Sequence, residues 1–144
     1  VDERVQFPYP APMSDCLFCK LVAKEIPAHV VYEDNQVLAF LDIHPIRPGH
    51  VLVVPKTHES DLYKLSPEHY QAVMAIVQEV SGRIAERLSP KKVGLMVMGW
   101  DVAHAHVHVV PMENTGDITS QALLEGATGS PLPEELIQMV QLLK

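Results

Sequence analysis

The chain is short of positive charge: 11 Lys and Arg stand against 18 Asp and Glu, for a formal charge of −7. Binding a polyanion needs clustered cations that displace its counterions, so nucleic acid is not an expected partner, whereas a small anion held by local groups is compatible. Long apolar runs are missing as well. Nothing approaches the roughly 20 consecutive apolar residues of a membrane-spanning helix, and residues 1–12 carry neither the basic nor the apolar segment of a secretory leader. No membrane partner is expected, and the cytoplasm is the expected location. Cysteine is scarce: Cys16 and Cys19 are the only two in the chain. They are too few for a disulfide framework, and in a reducing compartment their Cys-x-x-Cys spacing points to metal binding or redox chemistry.

What is present fits one globular domain, since 144 residues with 47% hydrophobic content can bury a sizeable core. Residues 1–12, VDERVQFPYPAP, hold three prolines and no apolar period, so they read as a flexible leader or expression remnant. Residues 13–112 are the expected domain and 113–144 a divergent tail. Residues 30–33 and 37–42 are β-prone runs around Asp34-Asn35, a hairpin signal. Pro45, Pro48 and Gly49 break the chain before residues 50–55, whose continuous apolar character suits a strand buried on both faces. Ser66-Pro67 opens a predicted helix over 67–88, with Tyr70, Val73, Met74, Val77, Ile84 and Leu88 on its inner face. Strands are expected at 93–98 and 102–110, and a terminal helix at 133–144 with Leu136, Val140 and Leu143 on one side. One long helix interrupting about five strands predicts an α+β fold, the helix packed on a mostly antiparallel sheet.

The chain has eight histidines, and three of them alternate with small apolar residues in His104-Ala-His106-Val-His108. At the period of a strand all three imidazoles share one face, with neighbours roughly 6.5–7 Å apart. A metal, a phosphate, or a nucleophile beside an acid could each use that geometry.

The segment resembles the signature of the histidine triad (HIT) superfamily of nucleotide hydrolases and transferases, His-φ-His-φ-His-φ-φ with φ apolar. The likeness extends through Cys16-Leu-Phe-Cys19-Lys, Lys24-Glu-Ile-Pro27, Val31-Tyr-Glu-Asp34, Phe40-Leu-Asp-Ile43 and Pro48-Gly-His-Val-Leu-Val-Val-Pro-Lys56, in HIT order and up to Pro111. The resemblance implies the HIT α+β domain, usually a homodimer whose protomers extend one sheet, acting on a purine nucleotide or nucleoside phosphoramidate. It assigns His106 as the nucleophile that attacks the α-phosphorus to form a nucleotidyl-histidine, which water then hydrolyses. Elementary chemistry agrees, because a neutral imidazole is a good nucleophile near pH 7 and covalent catalysis divides one hard displacement into two easier ones. By the same resemblance His108 and His50 donate to the phosphate oxygens. Asp42 would hold the ribose hydroxyls, and Leu17, Phe18, Leu21, Phe40 and Ile43 would enclose the base.

Cys16 and Cys19 supply two thiolates, and a closed tetrahedral zinc site needs two more ligands. Several HIT branches are similar in completing it with the histidine of a Pro-Lys-x-His segment and the first triad histidine, which implies His58 and His104 here. His104 would then be a structural ligand, with zinc the implied cofactor. A metal-free thiol pair and a redox pair are the alternatives, the latter disfavoured because no βαβ context surrounds the motif.

The chain departs from the family before the triad. Many HIT enzymes carry Gly-Gln-Ser/Thr there, whereas residues 99–104 read Gly-Trp-Asp-Val-Ala-His. That change removes expected leaving-group contacts and opens a second reading, a nucleotide-binding regulatory module with little turnover. A third is a metal protein holding one ion with all three triad histidines. His29, His44 and His69 have no motif support and are expected to be solvated, and exposed Met and Val of the long helix and the tail are the expected dimer contacts.

Overall fold

The computed structural model describes residues 15–119 and 130–144. The expected leader and part of the connection after Met112 lie outside the described residues.

Five strands form one sheet in the order β1-β2-β3-β5-β4: β1 Val30–Glu33, β2 Val37–Leu41, β3 Val51–Pro55, β4 Lys92–Met96 and β5 Val107–Met112. Every neighbouring pair is antiparallel, which sharpens the expected mostly antiparallel sheet. The β1–β2 turn forms because the Asp34 carboxylate accepts from the backbone N–H groups of Gln36 (2.7 Å) and Val37 (2.8 Å), replacing a backbone turn with a side-chain one. β2 and β3 are buried at every position.

Strand alternation then divides the core in two. Val37, Ala39, Leu41, Val51, Val53, Val107 and Val109 face helices, whereas Leu38, Phe40, Leu52 and Val54 turn to the other side. The first face is covered by α2, which follows a short α1 (Leu17–Val22) in the chain, and by α3 (Pro133–Leu143). α2 spans Pro67–Leu88 as expected; the Ser66 hydroxyl accepts from the His69 N–H at 3.2 Å, and Pro67 sits where no intrahelical donor is needed. Its inner face is Val73, Ile76, Val77, Val80 and Ile84. The expected face is therefore rotated: Tyr70 is exposed, and Met74 and Leu88 are half-buried at the margin.

Leu136, Val140 and Leu143 of α3 do turn into this core. Arg83 and Arg87 of α2 hold the helix down by donating to its last carbonyls, Arg83 to Leu143 (3.2 Å) and Arg87 to Leu142 (2.9 Å) and Lys144. Those carbonyls have no partner within the helix, so the arginines complete it.

Strand boundaries differ from expectation around the triad. β4 stops at Met96 rather than 98, and β5 begins at Val107 rather than 102. The β3–β5 ladder covers only Val51–Val53 opposite Val107–Val109, so residues 97–106 have no ladder partner, although β3 itself runs on to Pro55 beside β2. Among the described residues no helix is long and apolar enough to cross a membrane.

Candidate functional site

The second face of the sheet is built around α1, a helix the sequence did not announce. Cys16 caps it, its sulfur accepting from the Cys19 N–H at 3.4 Å. Phe18 and Leu21 bury against Leu38, Phe40, Leu52 and Val54. Six residues are a short helix, and burial of these anchors, rather than propensity, fixes its position.

At the N-terminal end of α1 four side chains converge. Cys16, Cys19, His58 and His104 present donor atoms all within 4.8 Å of one another. His104 Nδ1 is 3.4 Å from both sulfurs, and His58 Nδ1 is 3.1 Å from Cys19 Sγ. A zinc tetrahedron with Zn–S about 2.3 Å and Zn–N about 2.0 Å has S···N edges of about 3.5 Å, so the four atoms stand near the corners of such a site.

Protonation states fit as well. His104 Nε2 lies 2.8 Å from the Pro55 carbonyl, which only accepts, so Nε2 carries the hydrogen and Nδ1 offers a lone pair to the centre. Burial pushes the His104 pKa down to about 4 and keeps it neutral. Burial also pushes the Cys19 thiol up to about 12, with Cys16 acting in the same sense, so nothing among the protein groups favours thiolate there; a divalent cation would. His58 turns Nδ1 to the centre, while its Nε2 is buried without a hydrogen-bond partner among the described residues, a cost on the order of 1–3 kcal/mol.

Beyond His104 the chain reaches the other two triad histidines, and their tautomers follow from fixed backbone groups. His106 Nδ1 lies 2.7 Å from the His104 carbonyl, so Nδ1 donates and Nε2 keeps its lone pair. Burial lowers the His106 pKa, although the His104 carbonyl and the charges of Asp101 and Asp42 pull the other way. On the far side the Ile46 N–H donates to His50 Nδ1 at 3.1 Å. His50 must then carry its hydrogen on Nε2, which sits 2.9 Å from His108 Nδ1 and donates to it. His108 is left with its hydrogen on Nε2. Burial lowers both pKa values, His108 to about 3, so this chain of neutral rings persists at neutral pH. A bare lone pair on His106 thus stands beside a hydrogen-bond donor on His108, the two rings 5.1 Å apart.

Asp42 lies next to this pair. Its Oδ1 accepts from the His44 N–H at 2.8 Å, and its Oδ2 is 3.7 Å from His50 Nε2. Asp42, His50 and His108 form a second group of close donors, yet His50 offers a hydrogen rather than a lone pair, which is poor for a metal. One ion held by all three triad histidines is not what the chain builds either, since His104 and His108 belong to different groups.

Of the expected base walls, Phe18 sets its ring edge-on to His106 at 5.0 Å and to Phe40 at 5.5 Å, and Leu21 is buried behind them. Leu17 and Ile43 are exposed at 45% and 56%, open to a ligand. His44 is exposed, and His29 and His69 are half-buried rather than fully solvated; none joins either group. The backbone groups of Ile46, Pro55 and His104 were not anticipated as parts of the site, because every residue carries such groups and only the fold selects among them.

A family model described as HIT domain matches residues 23–115. An uncharacterized HIT-like protein of Borreliella burgdorferi is 38% identical over 106 residues, covering 69% of this chain and 76% of its own length. Adenylylsulfatase HINT3 of Arabidopsis thaliana is 32% identical over 103 residues, covering 68% of this chain and 52% of its own. Among solved structures, a Zn-bound histidine triad family protein from Mycobacterium smegmatis matches with a TM-score of 0.73 and 30% identity, covering 90% of this chain and 93% of the other. A Hit-like protein from Bartonella henselae matches with a TM-score of 0.78 and 27% identity, over 90% and 94%. The sheet and helices described above are the fold these structures share.

Proposed function

The chain belongs to the HIT domain family, and from that premise we propose that it is a nucleotide hydrolase or transferase working through a nucleotidyl-histidine on His106. The observation that carries this reading is the pairing of an unprotonated His106 Nε2 with a hydrogen on His108 Nε2, each set by a backbone group. His106 Nε2 attacks the α-phosphorus and the bond to the leaving group breaks. The leaving group departs with a proton from solvent, steadied by the hydrogen bond from His108 Nε2–H. Water then attacks the same phosphorus, the P–N bond to His106 breaks, the nucleoside monophosphate leaves with the oxygen of the water, and a proton is released to solvent. His50 spends its one hydrogen on His108 Nδ1 and so positions His108 instead of donating to the phosphate as expected, leaving His108 Nε2–H to meet the phosphate oxygens; Asp42 takes the ribose; Leu17, Phe18, Leu21, Phe40 and Ile43 enclose a purine. The name of the Arabidopsis relative, an adenylylsulfatase, supports chemistry at a nucleotide α-phosphate.

Cys16, Cys19, His58 and His104 would hold a structural zinc, supported by their spacing and by the Zn-bound relative. When bound, zinc keeps both thiols deprotonated and ties α1 to the triad segment. We further read the protein as a cytoplasmic homodimer. Its expected contacts shift, because the Val and Met of α2 are buried or half-buried, whereas Leu95 and Val97 at the edge strand β4 are about half exposed and Leu132 and Ile137 of the tail are exposed. An open edge with apolar side chains invites a second copy, and a single monomeric species in sedimentation would refute it.

The decisive experiment compares adenosine phosphoramidate hydrolysis by the wild type and His106→Ala at equal zinc content. Loss of AMP release by several powers of ten is expected. Equal, negligible release from both would overturn the hydrolase reading in favour of a nucleotide-binding regulatory module.

A further inference from the structure

The turn that delivers His50 is tied down from outside the triad. Residues 47–50 close tightly: the His50 N–H donates to the Arg47 carbonyl at 3.0 Å, with Pro48 second and Gly49 third at φ +98°. One peptide earlier, the Ile46 N–H donates to His50 Nδ1 at 3.1 Å. His50 is thus held at its backbone and at its ring by two adjacent residues, Arg47 and Ile46. Packing leaves this turn room to shift, because two cavities adjoin it: one of about 300 Å³ lined in part by Arg47, Pro48, Leu88 and Pro111, and one of about 210 Å³ lined in part by Leu41, Pro45, Pro48 and Met139. What anchors its first residue is an ion pair. The Arg47 guanidinium donates to Asp117 Oδ1 at 2.9 Å, while Asp117 Oδ2 accepts from the N–H groups of Glu113 (2.7 Å) and Asn114 (3.1 Å). Those two residues follow directly on β5, the strand that carries His108, and Asp117 is buried. One buried carboxylate therefore joins the turn that orients His50 to the strand carrying the ring that His50 orients.

We propose that Arg47 and Asp117 are positioning residues for the reaction at His106: they hold the Ile46 N–H on His50 Nδ1 and so keep the hydrogens of His50 and His108 on their Nε2 atoms. This deepens the hydrolase reading and rests on it. With Ile46 in place, His50 Nε2–H donates to His108 Nδ1, and His108 Nε2–H is free to donate outward. If the Ile46 N–H withdraws, His50 can carry its hydrogen on Nδ1 and accept at Nε2 from a His108 Nδ1–H. His108 Nε2 then presents a lone pair where the leaving group needs a donor. Both arrangements hold the same hydrogens and the same bond between the rings, so the backbone N–H decides between them.

The test compares Arg47→Met, which removes the charge, with Arg47→Lys, which keeps a cation; Arg47 reaches Asp117 through one nitrogen, a contact an ammonium can replace. Imidazole ¹H–¹⁵N NMR of the protein as purified reads which ring nitrogen carries hydrogen, a property that a merely structural role would not move. In the wild type and Arg47→Lys, His50 and His108 should both be Nε2–H, whereas in Arg47→Met the Nδ1–H form of each should appear. For adenosine phosphoramidate, kcat should fall about three- to tenfold in Arg47→Met, the range for losing one hydrogen bond to a half-exposed charge, with KM little changed. Asp117→Asn should follow Arg47→Met, and Arg47→Lys should recover most of the rate. Rings that stay Nε2–H in Arg47→Met, or rings that change with kcat unmoved, would overturn this inference, and AMP release still dependent on His106 would leave the hydrolase reading standing. Absence of His106-dependent release from the wild type would overturn both.

Discussion

Stripping the proposed zinc should detach α1 without unfolding the domain, and the structure supplies the magnitudes. Ordering the backbone of about seven residues from Cys16 through the helix costs about 1–2 kcal/mol each, or roughly 7–14 kcal/mol. Burying Phe18 and Leu21 returns about 1.5–3 kcal/mol each, and the few hydrogen bonds of so short a helix add about 1 kcal/mol apiece. The segment falls short of holding itself by a few kcal/mol, a deficit well inside the roughly 10–16 kcal/mol of a structural zinc site. The core under α2 lies on the other face of the sheet and uses none of the four ligands. After chelation, amide exchange in residues 16–22 should accelerate by at least about a hundredfold while β2, β3 and α2 keep their protection. Free zinc at about a thousand times its Kd stabilises by about 4 kcal/mol, so the melting temperature should fall by about 8–16 °C on removal. Cys19→Ser should reproduce both effects. Full protection of α1 in protein whose zinc content has been measured at zero would refute the reasoning.

His50→Ala removes the donor that sets the His108 tautomer, and kcat for a phosphoramidate should drop about a hundred- to a thousandfold with the fold intact by circular dichroism; an unchanged rate would break the proton-placement argument. Gly49→Ala places a Cβ at φ +98° and against the Leu88 Cδ1 methyl, so urea denaturation should show a loss of about 1–3 kcal/mol. Asp117 is buried, and burial alone would raise its pKa, but the Arg47 hydrogen bond at 2.9 Å and the N–H groups of Glu113 and Asn114 outweigh it and hold the carboxyl below its ordinary range. A depressed folded-state pKa contributes stability that is complete above the ordinary value of 3.8 and is lost as pH falls through the folded value. Asp117→Asn should therefore cost about 1–3 kcal/mol at pH 7 and flatten the acid limb of the stability curve; parallel curves for variant and wild type would show that the pair contributes nothing to it.

How far the sequence could be read depended on whether a feature belongs to one residue or to a pair. The Asp34 turn, the Ser66-Pro67 helix start and the alternating valines are local, and each appears where its own chemistry directs. The boundaries of β4 and β5 are not local. Residues 102–106 alternate like a strand, but strand character needs ladder bonds, and before Val107 the chain leaves β3: the Ala105 N–H goes to the Glu59 carbonyl and the His104 ring to that of Pro55. The inner face of α2 was misjudged by part of a turn because Tyr70 and Met74 are apolar enough to mimic an inward stripe, while α3 takes space that the pattern of α2 alone does not reveal. α1 escaped notice because its period is too short to register; what places it is the burial of Phe18 and the convergence of four ligands from distant segments. That Cys16, Cys19, His58 and His104 stand together was legible from spacing and resemblance. Their protonation states were not, since these follow from the Pro55 and His104 carbonyls and the Ile46 amide.

Those backbone groups make the proposed metal site and the triad one device rather than two neighbours. His104 serves both at once: its Nδ1 faces the thiols, its Nε2 is tied to Pro55, and its carbonyl holds His106 Nδ1. Residues 104–106 have no sheet partners, so they are held by these contacts and by the Ala105 N–H, which donates to the Glu59 carbonyl at 2.6 Å, one residue beyond His58. The outward contacts run to the last residue of β3, to the segment that follows it, or to the N-terminal end of α1. An unpaired stretch between two strands is ordinarily more mobile than the strands, and the proposed nucleophile would need its lone pair aimed to within a fraction of an ångström. Clamping the stretch through His104 reconciles the two requirements. On the proposed reading the first histidine of the triad is spared from chemistry because its ring fixes the carbonyl that in turn fixes His106.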